Sequence, residues 1–404
     1  MNIKFQRAVD RLAGVPICAL LSLVDRLRHA FGMAAPVSPP RRILVILLSE
    51  MGSLVLAHPM FAQLKKQYPD ASLHIMLFRK NREVLDLLGM IPEENVLAIS
   101  DRSLAEFVAD SLGAILKMRA LKFDVVIDCE LFSRVSSIFS YLSGAPLRVG
   151  FHPYTQEGLY RGSFINRPVL YNPYRHLSQQ LLAMVSAIES RSVPPAKTVA
   201  AEVRHPPLLA FSEEELQRVA AQLYADFPAI ENKKLVLVYP SGGILPIRAW
   251  PLENYFRLCD ALLADGYAVG VIGLEDDKPL AQAVADHCRS PRCVNLAGYT
   301  RSVRHLLAIF NHASLLVSND GGPGQFAALT PVPALIFFGP ETPALYSSLS
   351  DNAHYFYAAL SCSPCLTAYN HRASPCDGDN QCLKQIGPER VLAKARELLG
   401  AKPA

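Results

Sequence analysis

The chain has 404 residues, of which 50% are apolar and 19% charged, and its formal net charge is +4. This length favours two domains, and so small a charge argues against a nucleic-acid-binding protein. The charge is uneven. Residues 1–42 hold seven basic and two acidic residues and contribute +5, which leaves about −1 for the rest of the chain.

The N-terminal segment contains one apolar stretch, "LAGVPICALLSLV", at residues 12–24. It is shorter than the ~20 residues that span a bilayer. Basic residues precede it, as in a secretory signal, but no convincing cleavage site follows. A helix packed on the protein itself or on a partner is a second interpretation. We favour an interfacial helix on an anionic membrane, with Arg26 and Arg28 closing the segment, and a chain that stays in the cytoplasm.

The first half of the chain alternates strands with helices. "ILVILL" is typical of a strand buried on both faces, and the turn "SEMGS" and a helix from about residue 54 to 67 follow. We predict further strands in "ASLHIMLF", "NVLAI", "FDVVIDCE" and "PLRVGF", with helix at 103–120. This alternation predicts a doubly wound parallel sheet.

The same rhythm restarts near residue 233, with strands in "KKLVLVY", "YAVGVIG", "SLLVSN" and "VPALIFF". We therefore predict an α/β protein with two Rossmann-like domains facing a cleft. Its parts would be an N-terminal segment and linker (1–40), an N-terminal domain (41–188), a connector (189–232) that is Pro-rich at its start, and a C-terminal domain (233–404).

The stretch "SNDGGPGQFAAL" places three glycines, Gly321, Gly322 and Gly324, between a predicted strand and a helix. Exposed backbone N–H groups at such a turn bind a phosphate or diphosphate. Asp320 would repel a free phosphate, so we expect it to accept a hydrogen bond from a hydroxyl or to fix the loop. The alternative is a tight crossing that needs glycine for packing.

A second open turn lies in "PSGGILPIRAWP", where Ser241, Gly242 and Gly243 precede Arg248. A guanidinium suits a diphosphate because it is always charged and binds in two-pronged fashion. The acids of "GLEDD" follow another strand and could bind ribose hydroxyls or cap a helix. The three turns predict a nucleotide diphosphate in the C-terminal domain, and the absence of GxxxxGK[ST] excludes a P-loop.

"SNDGGPGQFAAL" with "PVPALIFFGPETP", the first strand–loop–helix and "RAWP" resemble glycosyltransferase family 9, the ADP-heptose:lipopolysaccharide heptosyltransferases, over about residues 42–395. The resemblance implies a GT-B fold, an inverting transfer and no metal or other cofactor for catalysis. It places the donor contacts at Ser241, Gly242, Arg248, Glu275, Asp320, Gly321, Gly322 and Gln325, while Gly243 and Gly324 complete the two turns.

The implied partners are a nucleotide-sugar, with an ADP-sugar favoured, and a lipid-linked glycan such as the lipopolysaccharide core. The C-terminal domain would bind the donor and the N-terminal domain the acceptor. Residues 1–30 would hold the protein peripherally on the inner face of the bacterial inner membrane. Two alternatives stay open: a sugar-nucleotide epimerase of the same fold, and a nucleotide-sugar-binding scaffold that has lost catalysis.

One departure from the family concerns the general base. Ser53 stands where the resembling family usually has an aspartate that takes the acceptor proton. Glu50 is our first replacement, Asp128 and Glu130 are second, and His58 is third. Glu50 could instead cap a helix and Asp128 could only order a loop. On the acceptor side we place Ser53, Glu130 and Arg148, and the arginines that could contact acceptor anions are Arg134, Arg148, Arg161 and Arg175.

A cysteine cluster closes the chain, with Cys362, Cys365, Cys376 and Cys382 in a CxxC, ten-residue, Cx5C pattern. A structural zinc site is the first interpretation, with His371 as a substitute ligand. One or two disulfides, or no crosslink, are the alternatives.

Overall fold

The computed structural model describes residues 3–30, 39–48, 50–131, 133–151, 160–192, 194, 196–197, 199, 202–368 and 372–400, without the side chains of residues 3–6 and 29–30. The helices are α1 Ile3–Leu12, α2 Gly14–Ala30, α3 Met51–Gln67, α4 Arg82–Leu88, α5 Leu104–Leu121, α6 Arg134–Leu142, α7 Leu177–Ala187, α8 Glu213–Asp226, α9 Leu252–Ala264, α10 Lys278–Cys288, α11 Val303–His312, α12 Gly322–Phe326, α13 Pro343–Tyr346, α14 Gln381–Lys384 and α15 Pro388–Leu399. The strands are β1 Arg42–Ile46, β2 Ser72–Phe78, β3 Val96–Ile99, β4 Val125–Asp128, β5 Leu147–Phe151, β6 Arg167–Val169, β7 Leu235–Tyr239, β8 Ala268–Gly273, β9 Cys293–Ala297, β10 Ala313–Asn319, β11 Ala334–Phe338 and β12 Ala353–Tyr357.

The chain divides into two compact units. The first comprises residues 1–204 and 367–372, and the second comprises residues 205–366 and 373–404. The division differs from the predicted domains in two ways. Helix α8, which we placed in a connector, packs on α11 and belongs to the second unit, while residues 367–372 return to the first.

The first unit is built on a parallel sheet in the order β3-β2-β1-β4-β5-β6. Its strands are apolar because helices cover the sheet. On one face Leu44, Ile46 and Val126 form a core with Met118 of α5 and Phe139 of α6. Helices α5 and α6 therefore share one face of the sheet.

The N-terminal helices pack on this unit through α6. The side of α2 that faces the protein carries small or polar residues: Gly14, Cys18 and Ser22 are buried. A Cβ on Gly14 would lie 2.8 Å from the Arg134 side chain, so only glycine allows this approach. The buried side of α2 thus confirms the interpretation of the N-terminal segment as a helix packed on its own protein. Among the described residues, no helix is both long enough and apolar enough to cross a membrane.

Two ion pairs fasten the N-terminal helices. Asp10 of α1 lies 2.9 Å from Arg134 and also accepts hydrogen bonds from the backbone N–H groups of Arg134 and Val135, so it caps helix α6. Asp25 of α2 lies 2.9 Å from Arg148. Both arginines are buried, and an unpaired buried charge is costly. These pairs explain why the acids stand in an otherwise basic segment.

The second unit repeats the architecture, with a parallel sheet in the order β12-β11-β10-β7-β8-β9. Its core includes Trp250, which is 1% exposed and lies 4.5 Å, between ring centroids, from Phe337 of β11. The indole N–H donates to the Ile386 carbonyl, so its polar atom is satisfied. The predicted doubly wound sheet is thus present in both units.

Candidate functional site

In the second unit, the predicted donor residues lie at the carboxyl ends of neighbouring strands. The turn Ser241–Gly243 follows β7, Glu275 follows β8, and Asp320 follows β10. In doubly wound sheets this edge is where ligands bind. A pocket of about 340 Å³ opens beside the first of these turns, lined by residues that include Ser241, Gly242 and Gly243.

The first glycine turn is held by its own chain. The Ser241 hydroxyl oxygen accepts from the backbone N–H of Gly243 at 3.1 Å. A Cβ on Gly242 would come within 2.7 Å of the Leu245 carbonyl, and Gly243 has a φ of 60°. Glycine at these two positions is therefore explained by packing and backbone conformation.

The second glycine turn is different. Gly321 has an extended backbone, and a Cβ there would find its nearest atom at 3.8 Å. At Gly322 the corresponding distance is 3.6 Å, which is ordinary contact. The protein itself does not require glycine at either position. The missing side chains leave room at the turn for something outside the chain. Gly324, by contrast, is packed against Ile336 at 3.1 Å.

Arg248 lies at the centre of the charged groups of this edge. It is 7% exposed and ends a short turn, Pro246–Arg248. Its guanidinium is 2.8 Å from the Glu341 carboxylate and 3.9 Å from that of Asp320. Two buried carboxylates thus lie near one guanidinium. The sequence analysis quoted the segment "GPETP" after β11 but gave Glu341 no role. A carboxylate three residues after a buried strand was the available signal.

Asn319 is a second residue that the sequence analysis missed. It is fully buried at the end of β10. Its side-chain oxygen accepts from the Trp250 backbone N–H and the Tyr255 hydroxyl, and its amide donates to the carbonyls of Tyr239 and Ser241. Asn319 therefore connects the two glycine turns. In the sequence, its position directly before "DGG" was the signal for this role.

Glu275 and Gln325, the other two predicted donor residues, both have contacts within the protein. Glu275 has a largely exposed side chain that pairs with Lys278 at 2.7 Å. Gln325 is buried, and its amide donates to the Tyr346 carbonyl at 2.7 Å. In the described part of the chain the Gln325 side-chain oxygen has no hydrogen-bond partner. The amide nitrogen of Gln325 is thus used within the protein, and its side-chain oxygen is available to accept a hydrogen bond.

In the first unit, Glu50 is the residue before helix α3, and its φ of 58° is unusual for a residue with a side chain. Its carboxylate forms an ion pair with Arg372, from the segment that returns to this unit. Such local strain tends to cluster at functional sites. Ser53 lies one turn on, and its backbone N–H donates to the Glu50 carbonyl. Glu50 remains our candidate for the base.

The second-choice bases have structural partners instead. Asp128 is fully buried and paired with Arg161, and Glu130 accepts from the Leu48 backbone N–H at 2.7 Å. Burial raises the pKa of the Asp128 carboxyl, which by itself would suit a base, but the group cannot reach an acceptor. Burial also lowers the pKa of His58, which keeps it neutral near pH 7.

Three arginines that we assigned to acceptor anions are engaged inside the first unit. Arg134 pairs with Asp10, Arg148 with Asp25, and Arg161 with Asp128. Each of the three therefore has a carboxylate partner within the unit, and their contact with an acceptor anion stays a prediction. Arg175 is exposed.

The sequence profile of glycosyltransferase family 9 (heptosyltransferase) matches residues 114–373. The chain belongs to this family. Lipooligosaccharide heptosyltransferase 2 of Haemophilus ducreyi is 24% identical over 89% of this chain and 99% of its own. Lipopolysaccharide heptosyltransferase 3 of Escherichia coli is 23% identical over 86% and 95%.

Solved structures agree on the fold. The E. coli ADP-heptose lipopolysaccharide heptosyltransferase II has a TM-score of 0.68 at 20% identity, covering 89% of this chain and 98% of that one. E. coli heptosyltransferase WaaC with ADP has a TM-score of 0.60 at 16% identity, over 88% and 99%. The predicted GT-B fold is confirmed, and this member of family 9 is a glycosyltransferase. The comparisons give no support to the epimerase alternative.

The cysteines of this family 9 chain do not fit the predicted zinc site. Cys362 and Cys376 are exposed, Cys382 is buried, and all four thiols are free. Within the described ranges, no three His, Cys, Asp or Glu side chains are placed to hold a metal ion. His371 lies outside the described residues.

Proposed function

We propose that this glycosyltransferase transfers a heptose from ADP-heptose to a hydroxyl of a lipid-linked glycan such as the lipopolysaccharide core. Family membership supports the class of reaction. The names of the relatives support the sugar and the acceptor, and solved structures of E. coli WaaC contain ADP or ADP-2-deoxy-2-fluoro heptose.

The observation that carries the donor site is that the packing of the protein does not require glycine at Gly321 or Gly322. A Cβ would fit at either position in ordinary van der Waals contact. A diphosphate that contacts the backbone N–H groups gives a reason for both glycines. Arg248 lies beside Asp320, the residue before this turn, and supplies a positive charge for the same ligand.

The chemistry needs one displacement. An acceptor hydroxyl oxygen attacks the anomeric carbon, the bond from that carbon to the diphosphate oxygen breaks, and the configuration inverts. Arg248 stabilises the charge that develops on the departing nucleoside diphosphate. A general base takes the hydroxyl proton, and Glu50 is the residue to which we assign this role.

The donor is tested by thermal unfolding of the purified protein with ADP, UDP and GDP. A ligand that binds the native state stabilises it by RT ln(1 + [L]/Kd), so ADP at about 100 times its Kd should raise the melting temperature by roughly 3 °C or more. UDP and GDP should act only at much higher concentration. A larger shift with UDP or GDP would discard ADP-heptose, and no shift with any of them would remove the donor site.

The base assignment is tested by Glu50→Gln. We expect the kcat for nucleotide release in the presence of acceptor to fall about 10²–10⁴-fold, because proton removal would have no acceptor, with little change in donor KM. Arg372→Gln is the matched control, since it breaks the same ion pair and keeps the carboxylate. It should retain kcat within about tenfold. Full turnover in Glu50→Gln would place the base elsewhere, and no turnover in the wild type despite tight ADP binding would favour the scaffold.

We also propose that α2 holds the protein peripherally on the inner face of the bacterial inner membrane. Three of its leucines point away from the protein: Leu20 is 60% exposed, Leu23 55% and Leu27 52%. This is the reverse of an ordinary surface helix, whose exposed side is polar. Exposed Arg11 and Arg26 complement anionic headgroups. Loss of vesicle binding in Leu20→Gln/Leu27→Gln is the expected result.

A further inference from the structure

A second helix of the first unit turns an apolar side outward. In α5, Leu104, Val108, Leu112 and Leu116 are 45%, 48%, 59% and 72% exposed. They recur every fourth residue and therefore form one stripe along the helix. Ala105, Ala109, Gly113 and Ala120 are exposed between and beside them.

The stripe has no charged residue in its middle, and Lys117 and Arg119 are exposed in the last turn. The opposite side of α5 is the one that packs on the sheet, through Ala114 and Met118. The exposed leucines therefore do not belong to the side of α5 that packs on the core. A contiguous exposed apolar surface of this kind marks an interaction site.

The stripe and α2 belong to the same face of the sheet. Leu44, Val126 and Arg148 are register partners on neighbouring strands, so their side chains share a face. Helices α5 and α6 pack on Leu44 and Val126, and Asp25 of α2 reaches Arg148. Helices α2, α6 and α5 thus form one layer.

Helix α6 lies within this layer and contacts both of the others. Its own residues are buried or half-buried. The outward sides of α2 and α5 therefore belong to the outer surface of a single layer. We call the exposed apolar residues of these two helices the layer surface.

We infer that α5 is a second membrane-contacting element, and that the layer surface as a whole lies on an anionic bilayer. This inference rests on the proposed membrane association of α2 and extends it. A monotopic protein binds a membrane by buried apolar area together with basic residues at the rim. The layer surface offers both, because exposed Arg11, Arg26, Lys117, Arg119 and Lys122 accompany the two apolar sides and Glu106 is the exposed acid of α5.

Contact through two helices would restrict the orientation of the protein more than contact through one. A single helix leaves the protein free to rotate about its point of attachment. Contacts at α2 and α5 would fix the first unit's orientation on the membrane, which presents the same edge of its sheet to a lipid-linked acceptor each time it binds.

Flotation of the full-length protein with phosphatidylcholine vesicles, with and without phosphatidylglycerol, tests the inference. We expect Leu112→Gln/Leu116→Gln to lower partitioning onto anionic vesicles by roughly tenfold, comparably to Leu20→Gln/Leu27→Gln. Leu208→Gln is the matched control, since Leu208 is 58% exposed in the second unit, and it should bind like the wild type. The α5 variant should keep its melting temperature and its ADP-induced shift.

The other outcomes each contradict a specific step. Wild-type binding by the α5 variant together with loss in the α2 variant would overturn the role of α5 and leave the membrane proposal intact. Absence of wild-type binding to any vesicle would overturn both. A change from dimer to monomer on sedimentation without lipid, caused by the α5 variant, would make the stripe a contact between two copies of the chain.

A gain-of-function variant covers the case in which the double variant folds poorly. Leu116→Trp keeps the surface apolar and places an indole at its most exposed position. It should raise vesicle partitioning, and lipids brominated on their acyl chains should quench the fluorescence that it adds to that of the buried Trp250. If the added fluorescence, measured against the wild type, stayed unquenched in vesicle-bound protein, α5 would face water and the inference would be overturned.

Discussion

Arg248→Ala is expected to lower kcat by about 10²–10³-fold, because it removes the charge that stabilises the departing diphosphate. Arg248→Lys should recover most of the activity, to within about tenfold of the wild type, since it restores the charge without the two-pronged geometry. The measurement is steady-state release of nucleotide with saturating donor and acceptor. Wild-type kcat in Arg248→Ala would remove the residue from the reaction.

A structural effect must be separated from this chemical one. Arg248→Ala leaves the buried carboxylates of Glu341 and Asp320 without their shared cation, so it should also lower the melting temperature. Arg248→Met/Glu341→Gln removes one charge of each sign. We expect the double variant to recover stability but not kcat. Recovery of both would mean that Arg248 acts only by holding the fold.

Arg161→Ala is expected to lower the free energy of unfolding by about 3–5 kcal/mol, because it strands a buried carboxylate. Asp128 is 0% exposed and Arg161 2%, so water cannot replace the lost partner. Arg161→Met/Asp128→Asn should recover most of the loss, since it removes both charges. Urea unfolding monitored by circular dichroism measures all three free energies.

The sign of the pH dependence follows from burial, which raises the pKa of the Asp128 carboxyl. A carboxyl whose folded-state pKa is raised favours folding when it is protonated, and that contribution is lost as the pH rises. The deficit of Arg161→Ala should therefore be smaller near pH 4 than near pH 7. A loss below about 1 kcal/mol at pH 7 would show that Asp128 is not a buried anion.

Much of the fold could be predicted because central strands are buried on both faces. Continuous apolar runs such as "ILVILL" and "VPALIFF" identified β1 and β11. Among the described residues, the three strands that we missed, β6, β9 and β12, all lie at sheet edges. An edge strand has one neighbour and carries polar residues or proline, as "RPV" and "CVNLA" do, so its pattern is weaker.

The site was predicted unevenly for a related physical reason. Arg248 and the glycine turns carry a local pattern, and the structure places them at one sheet edge. Partners that are distant in sequence leave no such pattern. Nothing near Arg134 or Arg148 indicates that Asp10 and Asp25 neutralise them across more than 120 residues. The same is true of Glu341, whose pairing with Arg248 exists only in the folded sheet.

Titration of ADP into Gly321→Ala, with the melting temperature of the free protein measured alongside, tests the donor site most directly. Because a Cβ at Gly321 meets nothing closer than 3.8 Å, we expect unchanged stability, and because the diphosphate would need that space, a Kd raised at least about tenfold. Gly242→Ala is the control: its Cβ would strike the Leu245 carbonyl, so it should lose stability even without ADP. Undiminished ADP binding by a stable Gly321→Ala would show that no ligand occupies the turn.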